Sequence, residues 1–154
     1  MTLYFAYGSN MNRALMRRHC PHAEELGTAA LFGCRFMITT DGYASIVPRS
    51  GGRVHGVLRR LSVRDLAALN SYEGIASGLY SKLTLPVRKD GRRMAATLYV
   101  GRSRTTGRPK PGYLDVILDA AREWRLPMPY VRSLQRWSLT RWRGMRTADC
   151  GEIG

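Results

Sequence analysis

The pattern of hydrophobic and polar positions at the start of the chain predicts a buried strand, a tight turn and a helix. Residues 3–7 form an unbroken apolar run that ends at a glycine, as buried strands do. Ser9 or Asn10 is the expected N-cap of a helix that begins near Met11 and carries Leu15 on its apolar side. Such a turn directs backbone N–H groups toward one point and suits an anion or a polarised carbonyl. Taken alone, the stretch favours a simpler interpretation: a connection that needs a glycine and a cap.

Two hairpins are predicted in the middle of the chain. Residues 29–40 are rich in β-favouring side chains and end at Asp41-Gly42, a dipeptide typical of hairpin turns. Beyond it we expect a short strand, a turn and a longer strand, at residues 43–48, 50–52 and 54–61. The second hairpin is predicted to turn at Lys89-Asp90-Gly91, between strands at residues 79–87 and 94–100.

A short helix is predicted between the two hairpins. Ser62 and Asp65 resemble a capping box, with Asp in place of the usual Glu. The helix that follows carries Leu66 and Leu69 on one face. Residues 70–74 are expected to be irregular and to end the helix at a glycine.

The last third of the chain predicts a loop, two helices and a tail. Residues 102–111 form a polar, basic loop, and apolar residues then recur at helical spacing over residues 112–125. Two prolines break this helix, and a last helix carries Tyr130, Leu134 and Trp137. We therefore expect one domain over residues 1–137, followed by a tail over residues 138–154 whose weak signals indicate partial disorder.

The order of the elements predicts an α+β fold, in which a small, curled antiparallel or mixed β-barrel or roll is flanked by helices. A length of 154 residues with 44% hydrophobic residues is typical of one folded domain. No apolar run is long enough to span a membrane, and no secretory signal opens the chain, so we interpret it as a cytoplasmic protein. The odd number and wide spacing of Cys20, Cys34 and Cys150 indicate reduced thiols.

The net charge of +14, from 25 basic and 11 acidic residues, raises a nucleic-acid hypothesis. The basic residues are spread through the chain, and only residues 102–110 and 136–146 are denser. No zinc-finger spacing and no aromatic RNA-binding strand motif accompany them. The distribution therefore argues against a nucleic-acid partner, although it leaves the charge unexplained.

Few residues carry recognisable chemistry. Glu73 is the one acid between Asp65 and Asp90, in an apolar and small-residue neighbourhood. A glutamate after a helix is usually solvated, but burial would raise its pKa and make it a usable general base near neutral pH. The ligand-type residues His19, Cys20 and His22 match no common zinc spacing, so no metal site is expected. His55, in a strand pattern, is interpreted as structural.

Three blocks of the chain resemble the γ-glutamylcyclotransferase family, which includes the AIG2-like proteins. The first block is YFAYGSN at residues 4–10. The second contains DLAAL at residues 65–69, then Tyr72-Glu73-Gly74 and Gly78-Leu79-Tyr80. The third contains Tyr113, AARE at residues 120–123 and Leu126-Pro127. The blocks follow the family's order, while the heavy positive charge is not typical of that family and leaves the substrate's identity open.

The resemblance implies a cyclotransferase that releases 5-oxoproline from a γ-glutamyl amide, through attack by the substrate's own α-amino group. It implies Glu73 as the catalytic general acid and base. The residues implied in substrate binding are the first block and two later tyrosines: Tyr4, Phe5, Ala6, Tyr7, Gly8, Ser9, Asn10, Tyr80 and Tyr113. It implies no metal and no cofactor, and its partner is a small-molecule γ-glutamyl compound; a homodimer stays open.

Two other functions remain as alternatives. A member of the same fold could bind a ligand or regulate a partner without catalysis, because a fold does not guarantee a function. Glu73 favours the enzyme, since binding alone does not need a base at that position. A basic nucleic-acid-associated protein would instead show strong salt dependence and indifference to Glu73.

Overall fold

In a computed structural model of the chain, five strands close into one barrel and the helices pack around it. The structure describes residues 1–74 and 77–147, and for residues 139–147 it describes the backbone alone. The strands are β1 (Thr2–Ala6), β2 (Glu24–Ile38), β3 (Ala44–Leu61), β4 (Tyr80–Lys89) and β5 (Arg92–Gly101). The helices are α1 (Arg13–His19), α2 (Val63–Tyr72), α3 (Tyr113–Glu123) and α4 (Met128–Thr147).

The barrel order is β1-β3-β2-β4-β5, and the parallel pairing of β1 with β5 closes it. The other neighbouring strands pair antiparallel, so the barrel is mixed. This confirms the expected α+β class with a small, curled barrel and flanking helices. Its interior is apolar, with Phe5, Leu58 and Leu98 all 0% exposed.

Residues 50–52 do not form the predicted turn, because β3 runs unbroken across them for 18 residues. The pairing of β2 with β3 instead shifts register at a bulge between Phe32 and Cys34. Gly52 passes so close to β2 that an added Cβ would lie 2.4 Å from the Cys34 carbonyl oxygen. Gly52 therefore permits close contact between the strands at a bulge, a use of glycine that sequence cannot separate from a turn.

The N-cap of α1 is Asn12 and not Ser9 or Asn10, which corrects the sequence prediction. The Asn12 side chain accepts a hydrogen bond of 2.8 Å from the Leu15 N–H. A 3₁₀ turn at Ser9–Met11 comes between β1 and α1. The extra turn frees the Asn10 side chain from capping, so that it can point elsewhere.

The predicted α2 and the second hairpin form with shifted boundaries. Ser62 caps α2 as expected, through a bond of 3.1 Å from the Asp65 N–H, but α2 continues to Tyr72, through residues predicted to be irregular. The second hairpin turns at Asp90-Gly91, both at positive φ, as a two-residue turn of this kind requires.

The last helix continues beyond the boundary that the sequence placed after residue 137. The backbone of α4 is helical to Thr147, so the first part of the predicted tail is helix. Residues 148–154, with Cys150 and the rest of that tail, lie outside the described residues. Cys20 and Cys34 carry free thiols. In the described part of the chain, no helix is long and apolar enough to cross a membrane.

Candidate active site

A cavity of about 310 Å³ opens beside the barrel, between the turn after β1, the end of α2 and the start of α3. Its walls are mostly aromatic, and seven of the chain's eight tyrosines line it. These are Tyr4, Tyr7, Tyr43, Tyr72, Tyr80, Tyr99 and Tyr113. Glu73 is the one carboxylate in the lining, and no lysine or arginine is among the lining residues that the structure describes.

The structure brings most of the sequence-predicted site residues to this cavity. Glu73 lines it together with these predicted binding residues: Tyr4, Tyr7, Gly8, Ser9, Asn10, Tyr80 and Tyr113. Phe5 and Ala6 are exceptions, since they are buried in the core outside the lining. The Phe5 ring packs against Gly56 of β3, where an added Cβ would lie 2.9 Å from the ring. Alternation along β1 explains the difference for Phe5, because consecutive side chains of a strand face opposite sides.

Glu73 follows the last turn of α2 and directs its carboxylate toward the Gly8–Asn10 turn. Its Oε2 accepts a hydrogen bond of 3.1 Å from the Asn10 side-chain amide. Burial raises the pKa of Glu73 to about 7, and the hydrogen bond from Asn10 opposes part of this rise. The carboxyl group therefore exchanges its proton near neutral pH, which is the property that a general acid and base needs.

Asn10 connects the turn to two walls of the cavity. Besides Glu73, its Nδ2 lies 3.0 Å from the Tyr4 hydroxyl. Asn10 is only 4% exposed, and its Oδ1 has no hydrogen-bond partner among the described residues. A buried polar atom without a partner is costly to the folded state.

Two tyrosine hydroxyls bond to the backbone of a single residue, Ala44, on the opposite wall of the cavity. The Tyr113 hydroxyl accepts a bond of 3.0 Å from the Ala44 N–H, while the Tyr80 hydroxyl donates to the Ala44 carbonyl at 2.9 Å. Burial raises the pKa of both phenols above the ordinary value. They therefore stay protonated at neutral pH and present uncharged hydroxyls to the cavity.

A second tyrosine pair joins the barrel to α2 on the far side of the cavity. Tyr7 donates a short hydrogen bond to the carbonyl oxygen of Tyr99, and Tyr99 in turn donates to Asn70 Oδ1 at 2.5 Å. Tyr99 also meets the Tyr4 ring edge-on, with centroids 5.8 Å apart. These contacts hold α2, and with it Glu73, against the barrel.

Sequence reasoning missed Arg59, which lies behind the turn on β3. Its side chain is 1% exposed, and its guanidinium donates to the carbonyl oxygens of Asn10 and Met11 at 2.7 and 3.3 Å. Trp124 donates to the same Met11 oxygen at 2.8 Å. An arginine inside an otherwise buried strand was the available signal, since a buried cation needs specific partners.

The ligand-type residues of the first helix do not assemble a metal site. His19 packs on the Tyr72 ring with centroids 3.8 Å apart, and Cys20 is buried with its Sγ 3.4 Å from the Asp65 carbonyl oxygen. Within residues 1–74 and 77–147, no group of three His, Cys, Asp or Glu residues could hold a metal ion. His55 packs edge-on against Tyr130.

Comparison with known proteins identifies relatives over most of the chain. Residues 53–134 match the AIG2-like family. The γ-glutamylcyclotransferases of Bos taurus and Homo sapiens are 28% and 29% identical, over 98% and 86% of this chain and 86% and 77% of theirs.

Solved structures give the same result. A solved γ-glutamyl cyclotransferase superposes with a TM-score of 0.81 at 26% identity, over 87% of this chain and 86% of that one. YkqA from Bacillus subtilis superposes with a TM-score of 0.78 at 27% identity, over 88% of this chain and 53% of that one. The family match covers more than half of the sequence, so this chain belongs to the AIG2-like family.

Proposed function

We propose that this protein is a cyclotransferase that cleaves a γ-glutamyl amide and releases 5-oxoproline. The observation that carries the proposal is the position of Glu73, whose carboxylate lines the same cavity as the Gly8–Asn10 turn and contacts Asn10 of that turn at 3.1 Å. The names of the relatives, γ-glutamylcyclotransferase in cattle, mouse and human, support the same activity.

The first chemical step needs a base, because the α-ammonium group of the substrate cannot attack while it is protonated. Glu73 in its carboxylate form takes that proton, and the freed amine nitrogen bonds to the γ-carbonyl carbon of the same molecule. The electron pair of the carbonyl double bond moves to oxygen, which becomes an oxyanion. With a pKa of about 7, a substantial fraction of Glu73 is ionised and ready to accept the proton at neutral pH.

The second step breaks the bond to the leaving amine. The oxyanion re-forms the carbonyl, and the bond between the γ-carbon and the leaving nitrogen breaks as Glu73 gives its proton to that nitrogen. Glu73 then takes the second proton from the ring nitrogen, which becomes the neutral lactam N–H, and passes it to the freed amine, which departs as an ammonium group. The products are 5-oxoproline and a free amine or amino acid, and Glu73 is again a carboxylate. No oxidant, phosphate donor or covalent enzyme intermediate enters this balance.

The Gly8–Asn10 turn would stabilise the oxyanion between these steps. Ser9 and Asn10 line the cavity, and their backbone N–H groups have no hydrogen-bond acceptor among the described residues. N–H groups fixed before the reaction stabilise developing negative charge without reorganising, which is the principle of an oxyanion hole. Gly8 leaves room for the substrate, because an added Cβ would lie 3.2 Å from the Tyr113 hydroxyl.

The aromatic walls would fold the flexible glutamyl chain toward its ring-closing shape. Holding two reacting groups of one molecule in contact lowers the activation free energy by several kcal/mol, roughly 7–11 in the best cases. Among the described lining residues there is no cation, so the substrate's carboxylate would be held by uncharged donors such as tyrosine hydroxyls and backbone N–H groups.

Incubation with a panel of γ-glutamyl compounds tests the proposal. The panel contains γ-glutamyl amino acids, γ-glutamyl amines and a γ-glutamyl peptide, with the α-glutamyl isomers as matched controls. We expect 5-oxoproline and the free leaving amine in equal amounts from at least one γ-glutamyl compound, and none from the α-glutamyl isomers. Binding of 5-oxoproline without turnover of any compound would instead indicate a ligand-binding member of the family.

A further inference from the structure

Arg59 is a buried cation whose charge is satisfied by the backbone of the site. It lies on β3 with 1% of its surface exposed. Among the described residues, no carboxylate forms a salt bridge with it. Burial lowers its pKa from the ordinary value, which still leaves a strong cation at neutral pH. Removing such a charge from water is costly, so the guanidinium needs hydrogen-bond acceptors inside the protein. The acceptors are two backbone carbonyl oxygens of the turn after β1.

The first partner starts a hydrogen-bonded path to Ser9. Arg59 donates to the carbonyl oxygen of Asn10 at 2.7 Å. The N–H of that same peptide group belongs to Met11, and it donates to the carbonyl oxygen of Gly8 at 3.1 Å. The N–H of the Gly8 peptide group is that of Ser9, which lines the cavity without an acceptor among the described residues.

The second partner starts a parallel path to Asn10. Arg59 donates to the carbonyl oxygen of Met11 at 3.3 Å, and the N–H of that peptide group belongs to Asn12. Asn12 donates to the carbonyl oxygen of Ser9 at 2.9 Å. The N–H of this last peptide group is that of Asn10, again a cavity residue. Each path therefore contains two aligned peptide groups between the guanidinium and a free N–H.

Hydrogen bonds in such a chain polarise one another, so a cation at one end strengthens the donor at the other. We propose that Arg59 is a positioning residue, which orients and polarises the Ser9 and Asn10 N–H groups that stabilise the oxyanion. This inference rests on the proposed cyclotransferase function.

Trp124 donates a hydrogen bond to the second path, and its ring lies 5.8 Å from the Arg59 guanidinium carbon. Its indole N–H donates to the Met11 carbonyl oxygen at 2.8 Å, and it carries no charge. The ring also packs under the Arg13 guanidinium, 3.8 Å from its centroid. The Arg59 charge acts on both paths, whereas the indole N–H donates to one. We therefore expect loss of Arg59 to lower kcat more than loss of the indole N–H does.

Kinetics of Arg59→Met and Arg59→Lys test the proposal, with Arg60→Met as the matched control. Arg60 is the neighbouring arginine on the same strand, and its salt bridge of 2.8 Å to Glu24 lies at the surface. All assays are run well below the measured Tm of each variant, with the γ-glutamyl compound that the parent turns over best.

We expect kcat of Arg59→Met to fall about 10- to 100-fold, with a smaller change in KM, because the oxyanion forms only during the reaction. Arg59→Lys keeps the charge but not the paired donors, so its loss should be intermediate. Arg60→Met should stay within about twofold of the parent. The acid limb of the pH profile should not move in the Arg59 variants, since the effect does not pass through Glu73.

The outcomes separate this inference from the function on which it rests. A parent that releases no 5-oxoproline from any compound refutes the proposed function itself. A folded Arg59→Met with kcat within about twofold of an active parent overturns the role of Arg59, and so does an equal loss in Arg60→Met. If Arg59→Met does not fold, Arg59→Lys and Trp124→Phe test the role of Arg59 instead. We expect about a threefold loss of kcat in Trp124→Phe. A parental kcat in either variant overturns the proposed role.

Discussion

Asn10 and Glu73 lie 63 positions apart in the chain and meet at the cavity, where the Asn10 amide donates a 3.1 Å hydrogen bond to the Glu73 carboxylate. This bond joins the turn after β1 to the end of α2, so it fixes the proposed base against the proposed oxyanion donors. It also stabilises the ionised form of a carboxyl group that burial pushes toward its neutral form. Substitution of either residue should therefore change both turnover and its dependence on pH.

Glu73→Gln keeps the shape of the side chain but cannot accept a proton from the substrate. We expect turnover to fall about a hundredfold to ten-thousandfold, the usual contribution of a general base. The Tm should stay equal or rise slightly, because a neutral amide avoids the cost of a buried carboxylate. Release of 5-oxoproline and the Tm are measured side by side for parent and variant. Near-parental turnover would mean that the base is another group.

The stability of the parent should fall relative to Glu73→Gln as the pH rises. The folded pKa of Glu73 is about 7, above the ordinary value of 4.5, so the folded state retains a proton that the unfolded chain has released. The stabilising contribution is complete below about pH 4.5 and is lost as the pH rises through about 7. Thermal melts of the parent and of Glu73→Gln from pH 5 to 8 measure this loss of stability. A difference in Tm between the two proteins that stays constant over this range would contradict the raised pKa.

Asn10→Ala should move the acid limb of the activity profile to higher pH. The limb reports ionisation of Glu73, and loss of the Asn10 hydrogen bond removes a contact that favours the carboxylate. Asn12→Ala is the matched control, because it removes the N-cap of α1 without touching Glu73. The control should lower stability by about 1 kcal/mol and leave the limb in place. An acid limb at the same pH in both variants would argue against an effect of the Asn10 hydrogen bond on the ionisation of Glu73.

Gly8→Ala tests the space in front of the turn. The new methyl group would lie 3.2 Å from both the Ala44 Cβ and the Tyr113 hydroxyl, closer than ordinary contact. We expect KM to rise severalfold with a small change in Tm, and Tyr113→Phe in the same chain to restore part of the loss. A parental KM would show that the substrate does not approach Gly8.

Chelation should leave turnover unchanged. The proposed chemistry moves two protons, through Glu73, from the attacking to the leaving nitrogen of the substrate, and needs no Lewis acid. Activity is compared before and after dialysis against EDTA, with and without added zinc. Loss of turnover that zinc restores would revive His19, Cys20 and His22 as ligands and would require a different mechanism.

Local chemistry along the sequence was enough to predict several parts of this fold. Alternating strands with an Asp90-Gly91 turn gave the second hairpin, because that turn needs residues that tolerate positive φ. Ser62 predicted the start of α2, since its hydroxyl caps an N–H three residues ahead. Residues 50–52 were predicted as a turn, because only the pairing with β2 on either side of them shows that one strand continues past the bulge.

The sequence by itself also determined which residues could do chemistry here: a glycine turn after the first strand, an isolated glutamate after a helix, and tyrosines spaced along the chain. It could not determine the state of Glu73, because the pKa of a carboxyl group depends on burial and on neighbours that only folding supplies. Arg59 shows the same limit, since nothing adjacent in sequence marks it as the partner of Asn10 and Met11. Barrel closure brings β3 behind the turn, and the resulting contacts decide where its charge acts.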